Sequence, residues 1–272
     1  MAERHDVALI GFGEAGMAFA GGWRAAAVAY DIKTDDPALA AAKRADYARC
    51  GVTGAASLAE ALDGAPLIVS VVTADQALAA AEAAARTIAP GALYCDFNSV
   101  APQTKQAAAR AIEAAGGLYA DVAVMAPVHP AGLAVPLLVS GADACSALAA
   151  LGFRPRRIEG PVGRASTIKM LRSVMVKGIE ALTAECFLAA RQAGVADEVA
   201  ASLDASWPGA GWATRADYNL GRMRAHGLRR AAEMEEVAAT LEGLGQGGEM
   251  ARATAIVQRR LGTSEIRASE AA

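Results

Sequence analysis

Residues 7–16, VALIGFGEAG, decide the fold that this sequence predicts. A short apolar run leads into three glycines spaced as G-x-G-x-x-G, and a helical pattern (14–26) follows them. In a turn of this kind Gly11 permits the sharp bend, Gly13 lets the backbone approach a pyrophosphate, and Gly16 lets the helix pack on the strand. The stretch therefore predicts a strand–loop–helix unit that binds a dinucleotide, although a glycine-rich turn without a ligand would look similar.

The same alternation of strand and helix continues to about residue 150. The further strand-like runs are 27–32, 66–73, 92–97, 118–125 and 136–141, and the helical segments between them are 36–49, 56–62, 74–87, 101–115 and 143–150. Short apolar strands that alternate with helices predict an α/β fold of Rossmann type, with a doubly wound and mainly parallel sheet. Continuous apolar runs indicate strands that are buried on both faces.

The second half of the chain has a different pattern, because strand signals stop after about residue 158. One helical run covers about 164–194, and the later helical segments are 196–205, 212–224, 226–244 and 247–261. We therefore expect two domains, a Rossmann domain over 1–160 and an all-α domain for substrate binding and dimerisation over 161–272. The 164–194 helix is expected to connect them.

Composition and charge exclude several classes of protein. The 272 residues carry a formal net charge of −3 without a dense basic patch, which argues against nucleic-acid binding. There is no apolar run of about eighteen residues, and the N-terminus leaves no room for a secretory leader, so we expect a cytoplasmic protein without a membrane partner. Four scattered cysteines and three histidines give no metal-ligand spacing, and no metal is expected.

The residue that ends the second strand indicates which dinucleotide is bound. Asp31 lies 20 residues after Gly11, where a carboxylate accepts hydrogen bonds from the adenosine ribose and repels a 2′-phosphate. This favours NAD, but Lys33 could bind that phosphate, so NADP stays possible. The expected cofactor-binding residues are Gly11, Phe12, Gly13, Glu14, Ala15, Gly16, Asp31, Lys33, Val72, Thr73 and Asn98.

Four motifs together resemble the β-hydroxyacid dehydrogenase family, which includes 6-phosphogluconate and 3-hydroxyisobutyrate dehydrogenases. They are GFGEAG with Asp31, DFNSVAP (96–102), DVAVMAP (121–127) and GPVGRASTIKMLRS (160–173). In the last motif Gly160, Gly163 and Lys169 match the family pattern, while Ala165 and Ser173 replace a glycine and an asparagine. The helical half, especially 226–237, is similar to a C-terminal domain of unassigned role in phosphogluconate-dehydrogenase-like proteins.

The resemblance implies roles for particular residues and a homodimer that acts on a carboxylate-bearing small molecule. Lys169 would be the catalytic residue that accepts or donates the proton. In the family, a Ser-Gly-Gly piece and the asparagine hold the substrate carboxylate. Here Met125, Ala126 and Pro127 stand in the place of that piece, so a bulkier or differently placed substrate group is expected. The expected substrate-binding residues are Ser99, Val124, Met125, Ala126, Arg172, Ser173, His226 and Arg230.

Lys169 also has a less specific interpretation. Helical periodicity places it in a polar stripe with Ser166, Ser173, Lys177 and Glu180, and such a stripe usually faces solvent. A stripe that faces a wet cleft would look the same in sequence. A lysine there can take a proton if burial or a cationic neighbour such as Arg172 lowers its pKa.

Three other candidates carry similar alternatives. Asn98 and Ser99 could simply cap the helix that begins near Pro102, and His226 could simply start a helix.

The expected function is an NAD(P)-dependent oxidoreductase that oxidises a β-hydroxyacid or related alcohol. The rivals are an imine reductase on the same fold, a group that usually lacks the lysine, and a non-catalytic NAD-binding redox sensor.

Overall fold

The computed structural model describes residues 5–23, 25–207, 209, 211–245 and 247–270, the last seven of them as backbone only. Contacts between residues divide the chain into two units, Met1–Lys169 and Met170–Ala272. The division falls inside a long helix, whereas the sequence-based boundary lay ahead of that helix, after residue 160.

The first unit contains a sheet of eight strands within the described part of the chain. They are β1 (Val7–Ile10), β2 (Ala27–Tyr30), β3 (Thr53–Gly54), β4 (Leu67–Ser70), β5 (Leu93–Asp96), β6 (Leu118–Val124), β7 (Leu137–Gly141) and β8 (Pro155–Arg157). The strand order is β3-β2-β1-β4-β5-β6-β7-β8. Neighbouring strands are parallel except for the β6–β7 pair. The expected mainly parallel, doubly wound sheet is confirmed.

The core of this unit lies on both faces of the sheet. Every residue of the central strands β1 and β4 is buried, as their continuous apolar sequences predict. One face packs against an apolar cluster that includes the contacting rings of Phe19, Phe97 and Phe153. The other face packs against a second apolar cluster that includes the stacked rings of Tyr94 and Tyr119. Because both faces are covered by packed side chains, the strands are held firmly, and so are the ends from which the loops begin.

The helices of this unit follow the expected segments with shorter bounds. They are α1 (Glu14–Ala20), α2 (Pro37–Arg49), α3 (Leu58–Leu62), α4 (Ala77–Ala85), α5 (Pro102–Ala114) and α6 (Cys145–Ala150). The first helix was expected to reach residue 26 and ends instead at Ala20. Two glycines follow it at once, and glycine favours the end of a helix over its interior.

The regular secondary structure of the second unit, in its described residues, consists of helices. Its helices are α7 (Arg164–Ala193), which begins in the first unit, α8 (Ala196–Ser206), α9 (Trp212–Gly243) and α10 (Glu249–Glu270). Apolar side chains between α7, α9 and α10 form its core, with Met170, Met234 and Val237 among the buried ones. None of the helices, as far as the structure describes them, combines the length and apolarity needed to cross a membrane.

Three features of the secondary structure differ from the sequence-based expectation. Strands β3 and β8 were not predicted, because two and three residues without an apolar run give no periodic signal. The separate helices 212–224 and 226–244 form the single helix α9. A Cβ on Gly227 would lie 2.3 Å from the Gln258 carbonyl oxygen of α10, so this glycine permits close helix packing and does not end a helix.

Candidate active site

Most of the predicted cofactor residues lie at the carboxyl edge of the sheet in the first unit. Gly11 follows β1, Asp31 follows β2, Val72 follows β4, and Asn98 and Ser99 follow β5. The strand order reverses between β1 and β4. Ligands of open α/β sheets bind outside the strand ends at such a point.

The three glycines of the first loop meet the requirements of a dinucleotide. Gly11 has φ of +86°, and a Cβ there would lie 2.4 Å from the Val71 carbonyl oxygen. A Cβ on Gly16 would lie 2.7 Å from the carbonyl oxygen of Gly11, so helix and strand approach closely. A Cβ on Gly13 would meet no atom within 4 Å. Gly11 and Gly16 are therefore needed by the fold, whereas the space above Gly13 is open to a pyrophosphate.

Phe12 holds this loop in place through its backbone and its ring. Its backbone N–H donates to Asp31 Oδ2 at 2.7 Å, and its carbonyl accepts from Lys43 Nζ at 2.7 Å. Its ring is buried and meets the ring of Tyr47 edge-on, with centroids 4.8 Å apart. The sequence placed Phe12 among the cofactor-binding residues, and in the structure its backbone N–H is used by Asp31.

The residues after Gly13 begin α1. Glu14 and Ala15 lie in its first turn, and no side chain caps that end of the helix. The N–H groups of a first helical turn have no partner within the helix and attract anions. Glu14 is exposed and Ala15 is half-buried, so both backbone positions can be reached from solvent.

The Asp31 carboxylate is held in place from two sides. Besides the Phe12 N–H, it accepts the Lys33 N–H on Oδ1 at 2.9 Å. Each oxygen keeps a lone pair for a ribose hydroxyl. The Lys33 side chain is exposed. A carboxylate with a fixed orientation therefore stands at the end of β2.

Asn98 connects the ends of β4 and β5. Its Oδ1 accepts the Val72 N–H at 2.6 Å, its Nδ2 donates to Ser70 Oγ at 3.1 Å, and its own N–H donates to Asp96 Oδ1 at 2.8 Å. Thr73, which follows this junction, is exposed. The helix-capping alternative for Asn98 and Ser99 is wrong, since α5 begins at Pro102 without a side-chain cap.

Lys169 and Ser99 meet although they lie 70 residues apart in the sequence. The Lys169 ammonium donates a hydrogen bond to Ser99 Oγ, and both side chains are half-buried. Other polar residues of the stripe on α7 are more deeply buried. Ser166 is 2% exposed in the first unit, and Lys177 and Glu180 are buried in the second. The interpretation of this stripe as a solvated face is therefore wrong.

Asp121 on β6 fixes the start of α7. Its Oδ2 accepts the backbone N–H groups of Gly163 and Ser166 at 3.1 and 3.0 Å, and its Oδ1 accepts the Ser166 hydroxyl at 2.6 Å. A carboxylate at a helix N-terminus satisfies free donors and interacts favourably with the helix dipole. Lys169 lies one turn further along the same helix.

Sequence reasoning missed a buried cluster of polar side chains on β5, β6 and α5. It consists of Asp96, Lys105, Tyr119 and Asp121, whose side chains are almost completely buried. A signal for Lys105 was available. It shares one face of α5 with Pro102, Ala109 and Ile112, all buried, and a lysine on an apolar face needs a buried partner.

The segment in place of the family's substrate motif is apolar. Val124, Met125 and Ala126 are half-buried at the end of β6. Met125 packs against a small cluster that includes Ala165 and Ile168 near the start of α7. These side chains carry no hydroxyl or amide that could bind a carboxylate.

Four predicted substrate residues belong to the second unit. Arg172 and His226 are exposed, and Ser173 is buried. His226 lies inside α9, so the alternative that it starts a helix is wrong. Arg230 is buried and forms an ion pair with Glu180, and burial lowers the pKa of its guanidinium.

Over the described residues, no group of three or more His, Cys, Asp or Glu side chains could hold a metal.

Comparison with known families identifies both halves. The family model described as the NAD binding domain of 6-phosphogluconate dehydrogenase matches residues 6–150. A second model, described as a domain of unknown function (DUF1932), matches residues 190–261. The expected resemblance, including a C-terminal domain of unassigned role, is confirmed.

Individual proteins agree with this assignment. A conserved hypothetical protein from Sinorhizobium meliloti is 38% identical, with a TM-score of 0.76 over 95% of this chain and 88% of that one. An uncharacterised protein of Methanothermus fervidus is 29% identical over 51% of this chain, and the match spans 53% of that protein's length.

Two enzymes have the same fold at low sequence identity. The 3-hydroxyisobutyrate dehydrogenase of Mycobacterium tuberculosis, solved with L-serine, is 15% identical, with a TM-score of 0.76 over 96% of this chain and 94% of that one. A reductive aminase from Aspergillus terreus, solved with NADPH and ethyl levulinate, is 18% identical, with a TM-score of 0.62 over 94% of this chain and 93% of that one.

Proposed function

Because this chain belongs to the family of the NAD binding domain of 6-phosphogluconate dehydrogenase, we propose that it is an NAD-linked dehydrogenase acting on a β-hydroxyacid or a related alcohol. Lys169 is the residue that accepts the proton. The observation that carries the proposal is the hydrogen bond from Lys169 to Ser99. Ser99 follows β5 at the carboxyl edge of the sheet, the edge to which the glycine loop also belongs.

The chain's own groups supply binding and proton transfer. When bound, the nicotinamide supplies the acceptor for the hydride that leaves the alcohol carbon. The neutral amine of Lys169 takes the hydroxyl proton, and its ammonium form returns that proton in the reverse reaction. Ser99 accepts a hydrogen bond from the ammonium and can donate one to the substrate oxygen. Lys169 and Ser99 thereby hold the oxygen on which charge develops.

The cofactor we propose is NAD. The open space above Gly13 and the uncapped first turn of α1 would hold the pyrophosphate. The fixed carboxylate of Asp31 would accept the ribose hydroxyls and repel a 2′-phosphate. The exposed Lys33 is the group that would assist NADP.

The substrate class follows from the apolar segment at the end of β6. Met125 packs against other apolar side chains at the position of the family's carboxylate-binding motif. We therefore propose a carboxylate-bearing substrate whose part near Met125 is apolar and whose carboxylate is bound elsewhere.

The proposal is tested by following NADH absorbance while NAD, then NADP, is offered with a panel of 3-hydroxyacids and related alcohols. Wild type and Lys169→Ala are compared, and cofactor binding is measured for both by titration. Substrate-dependent NADH formation that is lost in the variant, with NAD binding retained, supports the proposal. Equal rates in the two proteins would remove Lys169 from the mechanism.

An imine reductase is the second candidate, and similarity in fold to the reductive aminase supports it. The presence of Lys169 argues against it, because imine reductases on this fold usually carry another proton donor. Oxidation of NADPH by a ketone with an amine, and no reaction with any hydroxyacid, would favour this candidate. NAD binding without turnover on either panel would favour a redox sensor.

A further inference from the structure

Two buried carboxylates lie side by side on the strands that precede the loop of Ser99 and the anchor of α7. Parallel pairing of β5 and β6 places Asp96 directly opposite Asp121. Both side chains are completely buried. Two like charges at neighbouring buried positions destabilise a fold unless a cation lies between them.

Lys105 supplies that cation. Its Nζ lies 2.8 Å from Asp96 Oδ1 and 3.5 Å from Asp121 Oδ1, and it also donates to the Asp96 carbonyl oxygen at 2.7 Å. Its own side chain is completely buried on α5. Tyr119 donates to the other Asp96 oxygen at 2.5 Å, so the ammonium and the phenol together hold this carboxylate.

Each carboxylate orients one member of the Lys169–Ser99 pair. Asp96 accepts the N–H of Asn98, the residue directly before Ser99. Asp121 anchors the first turn of α7, on which Lys169 lies one turn further along. Lys105 is therefore the group that joins two supports from segments far apart in sequence.

The use of lysine in this chain is selective. The sequence contains 5 lysines against 21 arginines. Lys33 is exposed, but Lys43, Lys105 and Lys177 are buried and Lys169 is half-buried. A compact ammonium can direct its three donors to different acceptors, whereas the donors of a planar guanidinium are held in a rigid fork.

We propose that Lys105 is a positioning residue for the Lys169–Ser99 pair. It bridges Asp96 and Asp121 and so sets the distance between the loop after β5 and the first turns of α7. The inference rests on the proposed function for its catalytic meaning, but the bridge itself can be tested without a substrate.

The test measures the reactivity of Lys169 in Lys105→Met. The folded protein is acetylated briefly with acetic anhydride, and peptide mass spectrometry gives the labelling of Lys169 relative to the exposed Lys33. The ratio is expected to rise about fivefold, the factor that corresponds to the loss of one ordinary hydrogen bond. The affinity for NAD is expected to change by less than about twofold, because the glycine loop keeps its own supports. An unchanged ratio in a folded variant would overturn the proposal.

Lys43→Met is the reciprocal control. It removes another buried lysine of the same unit, one that contacts the cofactor loop. It is expected to weaken NAD binding and leave the Lys169 ratio unchanged. A raised ratio in both variants would show general loosening of the unit and would overturn a specific role for Lys105.

A double variant keeps the test decisive if Lys105→Met does not fold. Lys105→Met with Asp96→Asn removes one cation and one anion, so the cluster keeps its net charge without the bridge. A raised labelling ratio of Lys169 in this folded variant supports the positioning role of Lys105. A ratio equal to that of the wild type would mean that Lys105 only neutralises the charge of the carboxylates.

The proposed function and the positioning role fail separately. Full turnover by Lys169→Ala would contradict the proposed proton transfer by Lys169. The labelling of Lys169 would still show whether Lys105 positions that side chain. Where a substrate is found, Lys105→Met is expected to lower kcat about tenfold with little change in the KM for NAD. Equal losses in kcat and NAD affinity would contradict a positioning role.

Discussion

Lys169 donates a hydrogen bond to Ser99 across 70 residues of sequence, because a helix that begins at residue 164 is anchored beside the strand that precedes Ser99. The anchor is Asp121, which accepts the donors of the first helical turn. The contact therefore depends on the sheet register as much as on its two residues.

Ser99→Ala should lower kcat about tenfold and leave NAD affinity unchanged, because it removes one hydrogen bond to the group that moves the proton. Steady-state rates and a NAD titration measure the two effects. Ser99→Thr keeps the hydroxyl and serves as the matched control. Equal rates for wild type and Ser99→Ala would mean that the hydroxyl has no part in the reaction.

Two glycine substitutions in one loop should have opposite consequences. Gly11→Ala should destabilise the protein by ~1–3 kcal/mol, since Gly11 has φ of +86° and its Cβ would overlap the Val71 carbonyl oxygen. Gly13→Ala should leave the melting temperature unchanged, because its Cβ would meet no protein atom within 4 Å. It should weaken NAD binding at least about tenfold, because the Cβ would occupy the space proposed for the pyrophosphate. Thermal unfolding and NAD titration of both variants check this. NAD binding by Gly13→Ala at wild-type affinity would place the pyrophosphate elsewhere.

Asp31→Asn should raise the affinity for NADP relative to NAD about tenfold, because it removes the charge that repels a 2′-phosphate. The amide oxygen can keep one of the two backbone N–H partners, so the loop should stay folded. Binding of both cofactors is measured by titration. Asp35→Asn removes a nearby exposed carboxylate and should leave the ratio unchanged. A similar change in both variants would point to general electrostatics rather than contact with the ribose.

Alkaline pH should unfold the protein through its tyrosines. Burial raises the pKa of Tyr47 from 10.0 to about 12 and raises the pKa of Tyr30, Tyr94 and Tyr119 further. A tyrosine whose folded pKa is raised contributes stability that is complete below pH ~10 and is lost as pH rises through the folded pKa.

The free energy of unfolding should therefore fall between pH 10 and 12, and phenolate absorbance should rise together with the loss of ellipticity. Tyr47→Phe should make the fall with pH shallower. Ionisation of all the tyrosines in a protein that keeps its ellipticity would contradict the burial of these side chains.

The homodimer that the family resemblance implies should form through α7. Leu171, Met175, Ile179 and Leu182 are exposed in the single chain, by 41, 64, 39 and 56%, and their spacing places them along one side of the helix. Met175→Glu with Leu182→Glu should give a monomer in analytical ultracentrifugation. Ile256→Glu, which changes an exposed residue of α10, is the control and should stay dimeric. A wild-type protein that sediments as a monomer would end the proposal.

Local sequence was sufficient for much of the fold. The glycine spacing after β1 and the position of Asp31 predicted the cofactor loop, because close backbone approach and positive φ require glycine at set places. The apolar runs of β1 and β4 predicted central strands. Strands β3 and β8 escaped because edge strands of two or three residues bury too little to leave a pattern.

The candidate site was only partly predictable. Motifs indicated Lys169, Ser99, Asn98 and Phe12 as site residues, but no local pattern indicated that the Phe12 backbone joins Asp31 to Lys43. The segments 212–224 and 226–244 were expected to be separate helices and instead form α9, in which Gly227 permits contact with α10. Sequence alone indicates that a glycine or a polar group is needed at a position, and it does not identify the partner.

The sequence by itself determined the α/β half with its dinucleotide loop, the helical half, and the lysine that follows the second glycine-rich loop. These properties depend on backbone sterics and on hydrophobic periodicity, which act over a few neighbouring residues. Only the tertiary structure decided that Lys105 bridges Asp96 and Asp121. Such a bridge depends on the register of β5 against β6 and on the exclusion of water, and both arise only when distant segments pack together.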